Sequence, residues 1–379
     1  MSTPFENVKN WILNSGIIVT DKKNENSGGV YSFYDKDNQK YGFLYPEITG
    51  YTVSALCFLN QIEKEDYYIK LAKASSDWII NLHEKFGGII QGIDPENESR
   101  KQLAYSFDTA ICAKGILDYY NLTNDENYLN FSKKLVKWLE GAISEQGTIS
   151  PYMELKSKEF KESDKVWYKK WGCLHIKTSM PFLQLYEITK EKNYLDYAEK
   201  ICNTYTKFQN TDGSFFLNEN SKTINLHTMS YALEGLFFAF NFTKNKKYLQ
   251  SIESGLDWCQ NQISDDGSIS LWFNSKYKSK AVYPIAQIIR LMILFDKLSN
   301  QNKYLKNILK LRSFMISLQA ENSNQKINGA FYEEFYKSIF GWKKRFKLNS
   351  WGSLFAMQAL YWFENFEKIK YDESISILY

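Results

Sequence analysis

Six glycine turns divide this chain at near-regular intervals: Gly28-Gly29, Gly87-Gly88, Gly147, Gly213, Gly267 and Gly329, spaced 54 to 66 residues apart. Each closes a helical stretch and leads through a longer segment into an apolar helix. A period of that length marks an array of helical hairpins, because one hairpin cannot bury its own apolar face and must stack on the next. No Pro/Gly/Ser-rich linker, charge block or low-complexity tract interrupts the 379 residues, so a single repeat-built domain over 1–379 is expected.

Within the period two kinds of helix alternate. One kind opens on Tyr followed by an aliphatic residue, at Tyr68-Ile69, Tyr128-Leu129, Tyr194-Leu195, Tyr248-Leu249 and Tyr304-Leu305. Ten residues later come Trp78, Trp138, Thr204, Trp258 and Phe314. Ten residues is close to three helical turns, so these positions share one face, the stripe that packs on a neighbour. The other kind, at 51–62, 107–120, 176–190, 228–241, 283–297 and 351–363, is apolar nearly all round, as in Ala110-Ile111-Cys112-Ala113. A helix apolar on every side must be covered on every side. With a further outer helix at about 5–15, this gives six outer and six inner helices in strict alternation.

An open solenoid would need capping repeats with a polar outer face, and neither terminal helix has one. The sequence therefore predicts an all-α fold, an (α/α)6 toroid with the inner helices at its centre. Inner-to-outer links such as Asn121-Leu122-Thr123-Asn124-Asp125 are short, whereas outer-to-inner links run from Gly87 to Phe107, from Gly147 to His175 and from Gly329 to Ser350. Long loops on a rigid scaffold are where sites are built. All six inner helices start at the long-loop end, so their first residues are expected to converge, aided by helix N-termini that favour anionic groups.

Those first residues are Tyr45-Pro46-Glu47 through Tyr51, Ser106-Phe107-Asp108-Thr109, His175-Ile176-Lys177, His227 through Tyr231, Tyr283 through Gln287 with Arg290, and Ser350-Trp351. Asp108 and Glu47 form a pair of carboxylates on adjacent hairpins at one level, suited to general acid/base work, although each also suits a helix cap. Of three histidines in the chain, His175 and His227 fall at inner-helix starts. His227 and Tyr231, one turn apart, could serve as a proton-transfer pair. Lys177 and Arg290 are candidates to hold a carboxylate or phosphate. Tyr45, Tyr51, Trp272 and Trp351 are candidates for stacking on sugar rings, with Glu234 and Gln287 as further substrate contacts. Core packing or a cap competes at every one of these positions.

Other site types are missing. There is no GxxxxGK[ST] loop, no GxGxxG after a strand, no HExxH and no CxxC pair, and Cys173 with His175 does not make a zinc site, so neither a metal nor a cofactor is expected. Asp265-Asp266 lies in a glycine turn, against a terpene-cyclase acid motif. A net charge of +4, from 47 basic and 43 acidic residues spread along the chain, argues against nucleic acid as a partner. The one local excess, Trp342-Lys343-Lys344-Arg345-Phe346-Lys347, reads as a solvated loop or as an anchor for an acidic sugar or phosphate. No signal-peptide pattern opens the chain and no apolar run of membrane length occurs, so a cytoplasmic location without membrane insertion is expected. Five cysteines, mostly inside apolar helices, read as reduced core residues.

YPEITGY at 45–51, SFDTAICAKGIL at 106–117, LHIK at 174–177, LHTMSYALEGL at 226–236 and SWGSLFAMQALYWF at 350–363 resemble the six-hairpin glycosidase-like proteins encoded in bacterial and archaeal surface-polysaccharide clusters. The resemblance spans nearly the whole chain. It implies an (α/α)6 toroid with a sugar cleft, similar in shape to unsaturated glucuronyl hydrolases, N-acylglucosamine 2-epimerases and uronic-acid lyases and epimerases. The group's motif positions match at Tyr45, Glu47, Tyr51, Asp108, His175, Lys177, His227, Tyr231, Glu234 and Trp351. Pro181 and Pro284 depart from the pattern and are expected to kink their helices. The expected function is carbohydrate processing in surface-polysaccharide metabolism on an oligosaccharide or polysaccharide precursor. It would be hydrolytic through the carboxylates; alternatives are a uronic-acid epimerase or lyase, and a non-catalytic glycan-binding protein.

Overall fold

A computed structural model describes residues 2–163 and 165–379. Its α-helices in chain order are α1 (Pro4–Asn14), α2 (Pro46–Glu63), α3 (Asp66–Phe86), α4 (Ser106–Thr123), α5 (Glu126–Ala142), α6 (Met180–Thr189), α7 (Lys192–Tyr205), α8 (Leu226–Thr243), α9 (Lys246–Asn261), α10 (Val282–Ser299), α11 (Leu305–Ser317), α12 (Ser350–Glu364) and α13 (Tyr371–Ser376). They fall into two compact units. The early unit comprises Ile18–Ser32, Gly42–Lys207 and Tyr379; the late unit comprises Met1–Ile17, Phe33–Tyr41 and Phe208–Leu378.

In the early unit α2 packs on α3 and α4, α4 on α5 and α6, and α6 on α7. The inner helices are therefore α2, α4 and α6, each backed by the outer helix that follows it. The late unit repeats the scheme with α8, α10 and α12 inside, and α9 and α11 behind the first two. The helix behind α12 is α1, from the other end of the chain, as the expected outer helix at 5–15 requires.

The period has a steric cause. At Gly28 the backbone is left-handed, φ +94°, and a Cβ there would collide with the carbonyl oxygen of Ala74 in outer helix α3; Gly329, φ +87°, meets Asn7 of α1 in the same way. The turn lies flat on the next outer helix, and only glycine allows both the dihedral and the approach. The outer-helix stripe behaves as its spacing predicts: Tyr68, Tyr128, Tyr194, Tyr248, Tyr304, Trp78 and Trp258 are buried. Trp138 and Phe314 are half-buried beneath Phe160 and Phe335. Inner helices end differently, on Lys64, Asn124, Lys190, Lys244 and Asn300, all left-handed non-glycines that stop α2, α4, α6, α8 and α10.

Two expectations need correcting. The inner helix predicted over 176–190 begins as a 3-10 helix, Cys173–Ser179, and becomes α-helical only at Met180. Pro181 then sits in the first turn of α6, and Pro284 in the first turn of α10, where a missing N–H costs little, so the physical cause of the expected kinks is removed. The long links also carry short antiparallel strands that the sequence reading did not anticipate. In the early unit Leu103–Tyr105, Tyr152–Glu154 and Glu159–Lys161 form one sheet. In the late unit Phe33–Asp35 pairs with Lys347–Asn349 and Lys40–Tyr41, Ile224–Asn225 with Trp272–Phe273, and Glu334–Ser338 lies between Ser279–Ala281 and Gly341–Lys344. The basic segment at 342–347 is thus strand for most of its length and not an irregular loop. All five cysteines are buried thiols. Among the described residues no helix is long and apolar enough to cross a membrane.

Candidate functional site

The early unit brings its carboxylates together by the closeness of two helices. Gly50 of α2 faces α4 so closely that a Cβ there would lie 2.9 Å from the Ile111 carbonyl oxygen, and Gly115 of α4 faces the Gly50 carbonyl in return. One turn nearer the helix starts, the Cys112 thiol donates to the Pro46 carbonyl at 3.3 Å. Glu47, in the first turn of α2, and Asp108, in the first turn of α4, are therefore neighbours, 8% and 5% exposed.

Their electrostatics are unequal in origin. Burial first, and then the negative charge of Glu47, hold the Asp108 carboxyl well above the usual carboxylate range, outweighing a backbone hydrogen bond that favours the anion. Its Oδ2 is buried with no hydrogen-bond partner in the protein. Burial and the neighbouring charge thus favour the protonated acid at Asp108, with an oxygen available to a hydrogen-bonding ligand. The same charges push up the Cys112 thiol, after burial. Tyr105, at the N-cap of α4, is likewise raised by burial first and then by Asp108. Sequence reasoning passed over Tyr105, although it stands immediately before the Ser106 start that it used.

Tyr51, one turn after Glu47, is buried with the Lys177 ammonium over its ring, 4.7 Å from the centroid. An aromatic face offsets part of the hydration that a buried cation loses, by about 2 kcal/mol. Tyr45 caps α2, and its ring packs 5.0 Å from Phe43. His175 is enclosed: its ring stacks on Tyr205 at 5.6 Å, and Nδ1 lies 3.2 Å from both the amide nitrogen and the carbonyl oxygen of Gly172. Burial lowers its pKa to about 4, so the ring is neutral near pH 7 and organises the 3-10 turn that carries Lys177.

The late unit gathers the remaining candidates around His227, at the second position of α8. Its Nδ1 is 2.6 Å from Gln287 Oε1, and Gln287 Nε2 donates to Glu234 Oε2 at 3.2 Å. Arg290 closes the line, donating to Glu234 Oε1 at 2.5 Å and to Gln358 Oε1 at 2.8 Å. An ionised carboxylate only accepts, so Glu234 fixes which end of the Gln287 amide faces it. The carbonyl end then faces His227, which donates to it from Nδ1. Glu234, Gln287 and Arg290, expected as substrate contacts, are wholly buried and turned toward one another and toward His227. Gln358, mid-helix in α12, carried no sequence signal for its part in this line.

Around the half-buried imidazole stand Tyr231 at 4.2 Å and Tyr283 at 4.5 Å between ring centroids, and Trp351 lies 5.9 Å beyond Tyr283. Trp272 pairs with Asn225 in the short sheet that leads into α8, which sets it beside the same helix start. Among the described residues no group of three or more His, Cys, Asp or Glu side chains could hold a metal ion.

No protein-family profile and no curated protein matches the chain in sequence. In three dimensions the likeness is extensive. Cellobiose 2-epimerase from Bacillus thermoamylovorans B4167 superposes with a TM-score of 0.75 at 13% identity, covering 96% of this chain and 98% of that one. A D-mannose isomerase gives 0.74 at 12% identity over 96% of each chain. An unsaturated glucuronyl hydrolase specific for heparin gives 0.69 at 13% identity over 97% and 98%. Identities this low speak for the fold and not for the reaction. The chain has the (α/α)6 toroid fold that its glycine period predicts.

Proposed function

We propose that this protein processes saccharides, as a glycoside-hydrolase-like enzyme with Asp108 as proton donor and Glu47 as its carboxylate partner. The observation that carries the reading is the setting of Asp108: buried beside Glu47, its carboxyl held well above the usual carboxylate range, with Oδ2 unbonded within the protein. A glycosidic oxygen accepting that proton leaves as an alcohol. Glu47 stabilises the positive charge that develops at the sugar carbon, or takes a proton from attacking water. Lys177, held over Tyr51, supplies a cation to an acidic substituent, and His175 keeps its turn in place. The substrate class is an acidic saccharide of a surface glycan or its precursor, met in the cytoplasm, and residues 1–379 act as one domain without a cofactor. The fold shared with enzymes named for cellobiose, mannose and glucuronyl substrates supports the class.

A second reading, a uronic-acid epimerase or lyase, is favoured by one observation. The line from Glu234 through Gln287 orients the His227 ring through Nδ1, and Tyr231 lies against it. A base and a phenol at a sugar ring carbon suit proton abstraction. A glycan-binding protein without turnover is the third reading.

The products separate them when wild type and Asp108→Asn are incubated with acidic and neutral oligosaccharides. New reducing ends, lost in Asp108→Asn, support hydrolysis. Absorbance gained near 232 nm or deuterium taken up at carbon, with Asp108→Asn active, moves the reaction to His227. Bound but unchanged sugar in both leaves a binding protein.

A further inference from the structure

The sheet Ser279–Ala281, Glu334–Ser338, Gly341–Lys344 ends in a tight turn made of Ile339 and Phe340. These two side chains are 93% and 81% exposed. Turn chemistry does not account for them, since such positions favour Asn, Asp or Gly. The turn is nonetheless well formed. Gly341 takes φ +98°, and the Ser338 hydroxyl accepts from the Phe340 amide at 3.2 Å and donates to the Gly341 carbonyl at 2.9 Å. Tyr277, 74% exposed, stands level with the turn, because Lys337 N–H donates to the Lys278 carbonyl just beside it.

Behind this apolar tip come an indole and ammonium groups. Trp342, 46% exposed, lies directly across from Lys337 on one face of the ribbon, with the Lys280 ammonium 4.9 Å from its ring centroid. Lys343 lies across from Tyr336 on the opposite face, and its ammonium is 5.2 Å from the Phe340 ring. Arg345 is bound by Glu334 and Lys280 by Asp266; Lys337 and Lys343 on the ribbon, with the exposed Lys276 and Lys278 beside Tyr277, are the collar's further cations. Lys344 follows at the root, its ammonium held below the usual lysine range by burial and then by nearby Lys36.

We propose that this hairpin docks tip-first on an anionic lipid bilayer, with Ile339 and Phe340 among the acyl chains, Trp342 at the headgroup boundary and Lys337 and Lys343 among the headgroups. An apolar tip backed by an indole and an ammonium at one level, with a second lysine one residue further back, is what a membrane–water boundary accepts. Cations on both faces of the ribbon suit a plane entered end-on, whereas a protein partner lying along the ribbon would meet one face. Charge complementarity names the lipid: each lysine near an anionic surface strengthens binding, and a zwitterionic surface offers no such gain. The Lys and Trp side chains reach the boundary with their stems along the apolar residues. No spanning helix is needed.

The test is co-sedimentation of the full chain with phosphatidylcholine vesicles, with and without phosphatidylserine. Alongside it, light scattering gives the mass in solution. Wild type should bind the phosphatidylserine vesicles and lose binding at high salt. Lys337→Gln with Lys343→Gln should bind about thirtyfold more weakly. Ile339→Ser with Phe340→Ser should bind at least about tenfold more weakly, at unchanged thermal transition and circular dichroism. Equal binding to both vesicle types, equal binding by the serine variant, or no binding by wild type overturns the proposal. So does a wild-type dimer that the serine variant converts to a monomer without any lipid binding, since the tip is then a protein contact.

Discussion

Replacing Asp108 by Asn should stabilise the protein, and increasingly so as the pH rises. In the folded chain burial and the Glu47 charge hold the Asp108 carboxyl well above the usual carboxylate range; in the unfolded chain it ionises with a pKa near 3.8. Above that value the folded state binds one more proton than the unfolded state, so stability falls as pH rises. The slope is about 1.4 kcal/mol per pH unit for as long as the folded carboxyl stays protonated. Asn has nearly the shape of the neutral acid and does not titrate. From pH 5 upward the variant's advantage over wild type should therefore widen until the folded carboxyl ionises. Urea unfolding of both proteins across that range measures the difference. Glu47→Gln removes one of the two causes and should shorten the window over which the slope persists. A gap between wild type and Asp108→Asn that is flat with pH would refute the reasoning, because Asp108 would then titrate alike in both states.

Other perturbations follow from the same contacts. Gly115→Ala presses a methyl onto the Gly50 carbonyl and should cost about 1–3 kcal/mol by urea unfolding, through separation of α2 from α4. Arg290→Met strands the fully buried Glu234 and should cost about 3–5 kcal/mol in thermal or urea unfolding, with much of the loss recovered when Glu234→Leu is added. Lys177→Met should weaken binding of an acidic oligosaccharide while sparing a neutral one of equal length, as calorimetry would read.

The fold was legible because its repeating element is steric: a glycine turn flat against the next outer helix must recur wherever a hairpin recurs, and Gly28 and Gly329 leave that mark in the sequence. Outer-helix stripes were legible for the same reason, through the spacing of Tyr68 to Trp78 and Tyr248 to Trp258. The strands were not. They are two to five residues long, too short to alternate, and their pairing is decided across long loops. The start of α6 was misread because Ile176 through Ser179 run without a break into the apolar Met180-Pro181-Phe182-Leu183, and only their hydrogen bonds make them 3-10.

At the site, position along an inner helix was readable but depth was not. Glu47 and Asp108 lie together at the helix starts, as their spacing suggested. Glu234 and Arg290 sit one or two turns further in, where the same residue types are buried and face one another. A charged residue in an all-apolar helix signals either a ligand or an internal partner, and a single sequence does not distinguish them.

The central claim is that Asp108 delivers a proton to saccharide. It is tested most directly by incubating wild type, Asp108→Asn and His227→Gln with acidic oligosaccharides in D2O and reading the products by NMR and mass spectrometry. The account requires new reducing ends from wild type and from His227→Gln, and none from Asp108→Asn. Undiminished turnover by Asp108→Asn, with products lost instead in His227→Gln, would contradict it.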